Sequence, residues 1–393
     1  MTPPAGTGRD ALMRTYADPP VTFVRGEGSR LFDAEGASYL DFVSGIAVTS
    51  LGHAHPDVAQ AIADQARTLS HVSNLYGSTL APDVATTIDR LVGGGTVGAG
   101  GQVFFANSGA EANECALKLA RRWAGDRHVV VSTWGSFHGR TLSTLAATGQ
   151  PDKHVPYQPL PPGFDHVAYD DLAALDEALD PAVVAAVLLE PVQGEGGVVV
   201  PSSDYLAGVR KLCDERRILL MVDEVQTGLG RTGRWFAFQA QGLRPDVVTM
   251  AKALGNGMPV GACWARAEVA AAFGPGDHAT TFGGQPLAMS AVRATLAVME
   301  REDVPGRARR SGERLRAALS TLPGVRGVRG AGLLVGAVLA VPAPQVAAEA
   351  LAAGLLVNPV RPDVLRLTPS LLVTDEEIDE AVAILRAVLG RSA

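Results

Sequence analysis

Six short apolar runs, each followed closely by a polar residue, constrain the fold of this 393-residue chain more than any other feature. They are 102–106 (QVFFA), 128–132 (HVVVS), 183–189 (VVAAVLL), 218–222 (ILLMV), 247–250 (VVTM) and 260–264 (VGACW). Most are continuous rather than alternating, as expected of strands covered on both faces. Helix-period segments at 109–123, 171–179 and 203–217 fall between several of them. Strand–helix–strand alternation predicts an α/β fold around a mostly parallel sheet. The ends read differently: 20–43 holds two short alternating runs around Gly36, a hairpin pattern, and 305–393 reads as helix, strands and a final helix at 375–389. The expected organisation is a large domain over 51–290. A smaller α+β domain would be built from both ends, 1–50 and 291–393.

Composition removes several function classes. Apolar residues make up 47 % of the chain, which excludes a disordered polymer. The net charge of −7 argues against a nucleic-acid partner, which needs a clustered basic surface. No apolar run approaches the roughly 20 residues of a membrane helix. The opening MTPPAGTGRDALMRTYADPP lacks the basic segment and apolar core of a signal peptide, so the cytoplasm is the expected compartment. Cys115, Cys213 and Cys263 are far apart, and His53 and His55 lie two apart without a third ligand nearby. Neither a metal site nor a disulfide framework is expected. The glycine-dense stretch Gly93 to Gly101 reads as a loop and not as a phosphate cradle, because no helix follows it directly.

In open α/β sheets, ligands bind beyond the carboxyl ends of the strands. Four such ends here carry chemistry: Asn107 and Ser108, then Glu190, then Asp223 and Glu224, then Lys252. Ser108 opens a helix whose first amides and dipole favour a phosphate. Ser108 and Glu111 also fit a capping box, which needs no ligand. The lysines are only Lys118, Lys153, Lys211 and Lys252. The first three have polar or charged neighbours, whereas Lys252 lies in the apolar, Gly-rich TMAKALGNGMPVGA. Desolvation there lowers an amine's pKa, the condition for Schiff-base chemistry, although a snorkelling lysine at a strand end is the plainer alternative. Gly228-Leu229-Gly230-Arg231-Thr232-Gly233 matches G-x-G-x-x-G after a strand. An aromatic stretch follows where the nucleotide reading requires a helix, so a loop that lets backbone pass close to a ligand is expected instead.

Together these motifs resemble the class III (ornithine/acetylornithine-type) aminotransferases. The segments that carry the resemblance run in family order. They are GIAVTSLGHAHP (45–56), FFANSGAEAN (104–113), FHGRT (137–141), EPVQGEGGV (190–198), VDEVQTGLGRTG (222–233), MAKALGNGMPVGA (250–262), TTFGGQPLA (280–288) and LRLTPSLL (365–372). The resemblance implies the type I fold of pyridoxal-phosphate enzymes and pyridoxal 5′-phosphate as cofactor. On it, Lys252 would hold the cofactor as a Schiff base and shuttle the proton, and Asp223 would pair with the ring nitrogen. Ser108, Gly109 and Ala110 would hold the phosphate, and Glu224 would stand with the cofactor-binding set. Gln226 would bond the ring hydroxyl, with Val225 and Phe137 on the two ring faces. Thr281 would reach the phosphate of a partner subunit, implying a homodimer.

The same resemblance implies a substrate class. Arg140, assisted by Tyr16, would clamp the carboxylate far from the reacting amine. Arg366 would take the α-carboxylate of glutamate through the planar fork that suits carboxylates. Glu195 would neutralise Arg366 when the other substrate is bound, and Thr280 would lie beside the substrate. The expected reaction moves the terminal amine of N-acetylornithine to 2-oxoglutarate, as in arginine biosynthesis. Ornithine, succinylated or carrier-linked diamines are the alternatives within the class, and a nicotinamide-dependent oxidoreductase is the alternative outside it. Thr280, Gln285 and Ser370 depart from the family's usual Ser, Asn and Pro, and none of these changes removes a catalytic group.

Overall fold

The computed structural model describes residues 11–95 and 100–392. Its centre is a seven-stranded sheet in the spatial order Gly101–Ala106, Gly261–Arg266, Val247–Met250, Leu219–Asp223, Val184–Leu189, Val129–Thr133, Phe164–Val167. The last five strands run parallel, and Gly261–Arg266 is antiparallel to both neighbours. That reversal follows from the connection. Met250 and Gly261 are joined by a short segment with one 3₁₀ turn, Lys252–Gly255, too short for the crossover a parallel neighbour needs. Strands Val184–Leu189 and Leu219–Asp223 are buried at every position, matching their continuous apolar sequence. The six expected strands are all present. Phe164–Val167, a half-exposed edge strand (FDHV), is one the apolar pattern does not announce.

The ends form two further sheets. The expected hairpin around Gly36 is the pair Arg30–Asp33 and Ser38–Asp41, extended by a third strand, Phe23–Glu27. The two-residue strand Leu355–Leu356 joins Ser38–Asp41 in parallel, so a segment near the C-terminus completes the N-terminal sheet. The other sheet has the order Val325–Ala331, Leu334–Leu339, Val364–Leu367, Asn358–Arg361. Helices Val304–Leu319, Ala343–Ala352 and Asp375–Ser392 accompany these terminal sheets in sequence; the middle one was not anticipated. Of the loop over 93–101, residues 96–99 lie outside the described residues, as do 1–10 of the opening segment. Among the described residues no helix is long and apolar enough to cross a membrane, and the three cysteines are free and buried.

Candidate active site

A cavity of about 400 Å³ opens at the carboxyl ends of the parallel strands. Asp223 closes strand Leu219–Asp223, Glu190 follows Val184–Leu189, and Ser108 follows Gly101–Ala106 and caps the helix Gly109–Ala124. The Ser108 hydroxyl accepts from the Glu111 amide at 3.1 Å. The expected capping box is half formed, because the Glu111 carboxylate reaches the Asn107 amide at 2.6 Å and not that of Ser108. Gly109 has no room for a side chain, since a Cβ there would lie 2.8 Å from Val225 Cγ1. Gly261 is equally constrained: its Cβ would meet the Ser108 carbonyl at 2.2 Å.

Lys252, Asp223, Phe137, Val225, Gln226, Ser108, Gly109, Ala110, Arg140 and Glu195 all line this one cavity. Burial and the Arg366 guanidinium push the Lys252 amine down to about 8. Three donors converge on Asp223: His138 Nδ1 at 2.8 Å and Asn113 Nδ2 at 2.8 Å on Oδ2, and the Val225 amide at 3.0 Å on Oδ1. Thr249 Oγ1 holds Asn113 in turn at 2.7 Å. The carboxylate is thereby fixed in orientation, 3 % exposed. Burial pushes Glu190 up to about 7; His138 opposes this and Asp223 adds to it. Glu190 accepts from the amides of Phe137 at 3.0 Å and Gly194 at 3.2 Å, so it shapes the loop bearing Phe137.

Glu195 Oε1 accepts from Arg366 Nη1 at 2.6 Å. Burial alone would raise the Glu195 carboxyl, but the charge and hydrogen bond of Arg366 outweigh it and leave the group below its usual range. Arg366 itself is 1 % exposed, screened from the cavity by Glu195 and Gln226. Arg140 is exposed, its guanidinium 5.7 Å from the Phe137 ring centre.

Five named residues do not line the cavity in this chain, Arg366 behind Glu195 and Gln226 being one of them. The Glu224 carboxylate is turned away, accepting from the Phe238 amide at 2.9 Å and from Thr227 Oγ1. Burial there pushes it up to about 7. Thr280 Oγ1 accepts from Asn107 Nδ2 at 3.4 Å and from the Gly283 amide at 3.1 Å. Thr281 is exposed, and Tyr16 is 91 % exposed. Conversely, Asn113, His138 and Asn358 meet the site although no role was assigned to them from sequence. The motifs FFANSGAEAN and FHGRT contain the first two, but only the fold shows that both reach Asp223.

Contrary to the expectation of a ligand-facing loop, none of the GLGRTG residues lines the cavity. Cβ atoms at Gly230 and Gly233 would meet Val304 Cγ1 at 3.0 Å and Arg309 Cβ at 3.1 Å, so the loop packs against the helix Val304–Leu319. Arg231 within it is fully buried and donates to the carbonyls of Leu333 and Pro369, at 3.1 and 2.7 Å, and to Ser50 Oγ at 3.2 Å.

A desolvated amine, a triply held carboxylate and helix-start amides thus share one cavity. The chain belongs to the class III aminotransferases: the family model Aminotransferase class-III matches residues 12–389. It is 48 % identical over 384 residues to an acetylornithine aminotransferase of Corynebacterium efficiens, covering 96 % of this chain and 95 % of that protein. A second acetylornithine aminotransferase, from Gloeobacter violaceus, is 49 % identical over 391 residues, covering 97 % and 96 %. An ornithine aminotransferase of Toxoplasma gondii, with PLP partially occupying its active site, superposes with a TM-score of 0.91 at 36 % identity, covering 98 % of this chain and 93 % of that one. The chain is thus an enzyme that passes an amino group from a donor to a keto acid, with pyridoxal 5′-phosphate as cofactor. The residues present fit that group. Gly109 leaves a Cβ-free approach to the helix start, and the Lys252 amine and Asp223 carboxylate line one cavity large enough for it.

Proposed function

We propose that this enzyme transfers the terminal amine of N-acetylornithine to 2-oxoglutarate, giving N-acetylglutamate semialdehyde and glutamate in arginine biosynthesis. The carrying observation is an exposed Arg140 on the cavity wall and a buried Arg366 held behind Glu195, which lines the same cavity: one arginine is always available to a carboxylate, the other only when Glu195 moves. Such a pair suits alternation between a donor with one free carboxylate and a dicarboxylate acceptor. The acetylornithine aminotransferases at 48 and 49 % identity support the same donor.

Bound pyridoxal phosphate supplies a carbonyl for amine exchange and a ring that withdraws electrons from the carbon losing its proton. Lys252 holds it and, with its amine pushed down to about 8, can give and take a proton near neutral pH. Asp223, fixed by His138, Asn113 and the Val225 amide, presents a carboxylate to the ring nitrogen. Gly109 and Ala110 offer first-turn amides to the phosphate. Val225 and Phe137 provide the apolar faces, and Gln226 stands for the ring hydroxyl. Arg140, with Tyr16, receives the donor's carboxylate, and Thr280 stands beside the substrate.

The working unit we infer is a cytoplasmic homodimer, each chain a cofactor-binding domain over 51–290 flanked by a smaller domain from 1–50 and 291–393. Asn74 Nδ2 ties the segment around Leu75 and Tyr76 to the carbonyls of Thr280 and Gly283, both at 3.1 Å. Leu75, Tyr76 and Phe282 are 87, 74 and 60 % exposed, an apolar patch beside Thr281 suited to a second copy. Thr281 would then complete the partner's phosphate site.

The decisive experiment is steady-state kinetics with N-acetylornithine, ornithine and 4-aminobutyrate, each against 2-oxoglutarate. N-acetylornithine is expected to give the highest kcat/KM, and a higher value for free ornithine would reject this choice of donor.

A further inference from the structure

The Arg366 guanidinium has three acceptors of two kinds. Nη1 donates to Glu195 Oε1 at 2.6 Å and to Gln226 Oε1 at 3.1 Å, and Nη2 donates to Asn358 Oδ1 at 2.8 Å. Only Glu195 is charged; Gln226 and Asn358 are neutral amides. They also differ in setting. The Glu195 side chain is 31 % accessible, whereas that of Arg366 is 1 % accessible. Asn358 stands directly opposite Arg366 in the antiparallel pair Asn358–Arg361 and Val364–Leu367, so the sheet register fixes their approach. Among the described residues Nε of Arg366 has no partner, which leaves the Nη contacts as the guanidinium's polar restraint.

An arginine that must receive a substrate carboxylate needs to be aimed without being neutralised. A protein carboxylate aims it and cancels its charge; an amide oxygen aims it and leaves the charge in place. Here the one charged acceptor is the accessible, movable one, and an amide is built into the strand behind. When Glu195 turns away, the guanidinium keeps Asn358 on Nη2, and Nη1 faces the vacated position. With an apolar residue at 358, Nη2 would lose its acceptor inside the protein, and the guanidinium could follow Glu195 out of place.

We propose that Asn358 is a positioning residue that holds Arg366 in place without countering its charge during the dicarboxylate half of the reaction. The proposal rests on the reading that Arg366 takes the dicarboxylate's α-carboxylate.

The two half-reactions of the holoenzyme, followed separately by the cofactor's absorbance in stopped flow, provide the test. Asn358→Leu removes the acceptor at similar volume. It is expected to weaken use of 2-oxoglutarate and glutamate roughly 10- to 100-fold, the cost of a lost hydrogen bond to a charged group. The N-acetylornithine half-reaction should change less than about 2-fold, well below that cost. Asn358→Asp keeps shape and hydrogen bond but adds a fixed negative charge. It should therefore impair the dicarboxylate half-reaction at least as much as Asn358→Leu, whereas a merely structural asparagine would be rescued by it. The isosteric variant also carries the test should the leucine variant fold poorly. Arg366→Leu checks the underlying reading: intact 2-oxoglutarate kinetics in that variant would remove the assigned role of Arg366. If Arg366→Leu cripples that half-reaction while both Asn358 variants behave as wild type, or if their losses fall equally on both halves, the role of Asn358 is overturned and that of Arg366 stands.

Discussion

Lys252 has a left-handed backbone, φ +45°, a conformation costing a non-glycine residue about 1–2 kcal/mol. The cost is borne where the chain leaves the sheet to place an amine on the cavity wall. Burial and Arg366 lower that amine from 10.5 to about 8, so its neutral fraction rises with pH through that value. Capture of pyridoxal phosphate by apoenzyme needs the neutral amine. Its rate, followed by absorbance, should climb with pH to a midpoint near 8, and a midpoint near 10.5 would contradict the burial argument. Removing the positive neighbour with Arg366→Leu should shift that midpoint upward. His138 offers a second measurement at this scale. His138→Phe deletes one of the two side-chain donors to Asp223, and kcat should fall about 10- to 100-fold with cofactor retained, the range for a lost charged hydrogen bond.

On the proposed reading, the helix Gly109–Ala124 would serve both stability and binding. Ser108→Ala removes an N-cap and should cost about 1 kcal/mol, read as a lower melting temperature. Gly109→Ala should instead leave the fold standing and weaken cofactor affinity. Its Cβ would press on Val225 Cγ1 from 2.8 Å, displacing a side chain of the ring pocket, and a fluorescence titration of the apoenzyme reads the difference. At this scale the sequence was legible wherever an element buries both faces: six strands of the large sheet announced themselves by continuous apolar residues. The edge strand Phe164–Val167 did not, because Asp165 and His166 interrupt a four-residue run. The helix Ala343–Ala352 hid in alanines that mark no face. The residues proposed to hold the cofactor can be picked out in the sequence because they close strands or open helices. Asn358 was not, since its contact depends on the register of a neighbouring strand, which leaves no local signal. The Glu224 carboxylate points away from the cavity and is held by Thr227 and Phe238, a choice made by loop geometry and not by residue type.

The dimer reading has a clean test in mixed assemblies. Lys252→Ala homodimers should be inactive, and Thr281→Ala homodimers should bind cofactor weakly. Mixing the two by refolding should produce hybrids in which one site has both intact Lys252 and, from the other chain, intact Thr281. Activity recovering to a substantial fraction of wild type is expected, and no recovery would place Thr281 outside the partner's site. The buried Arg231 bears on the whole molecule in another way. It joins the loop after Asp223 to Ser50 and to the carbonyls of Leu333 and Pro369, with no carboxylate among its hydrogen-bond partners in the described residues, and burial draws its guanidinium down to about 9. Mobile ions weaken pairs of opposite charge at the surface, such as Arg314 and Asp379, but find no anion to compete for at Arg231. The junction on which the chain's two ends meet its centre should therefore hold as firmly in brine as in dilute buffer.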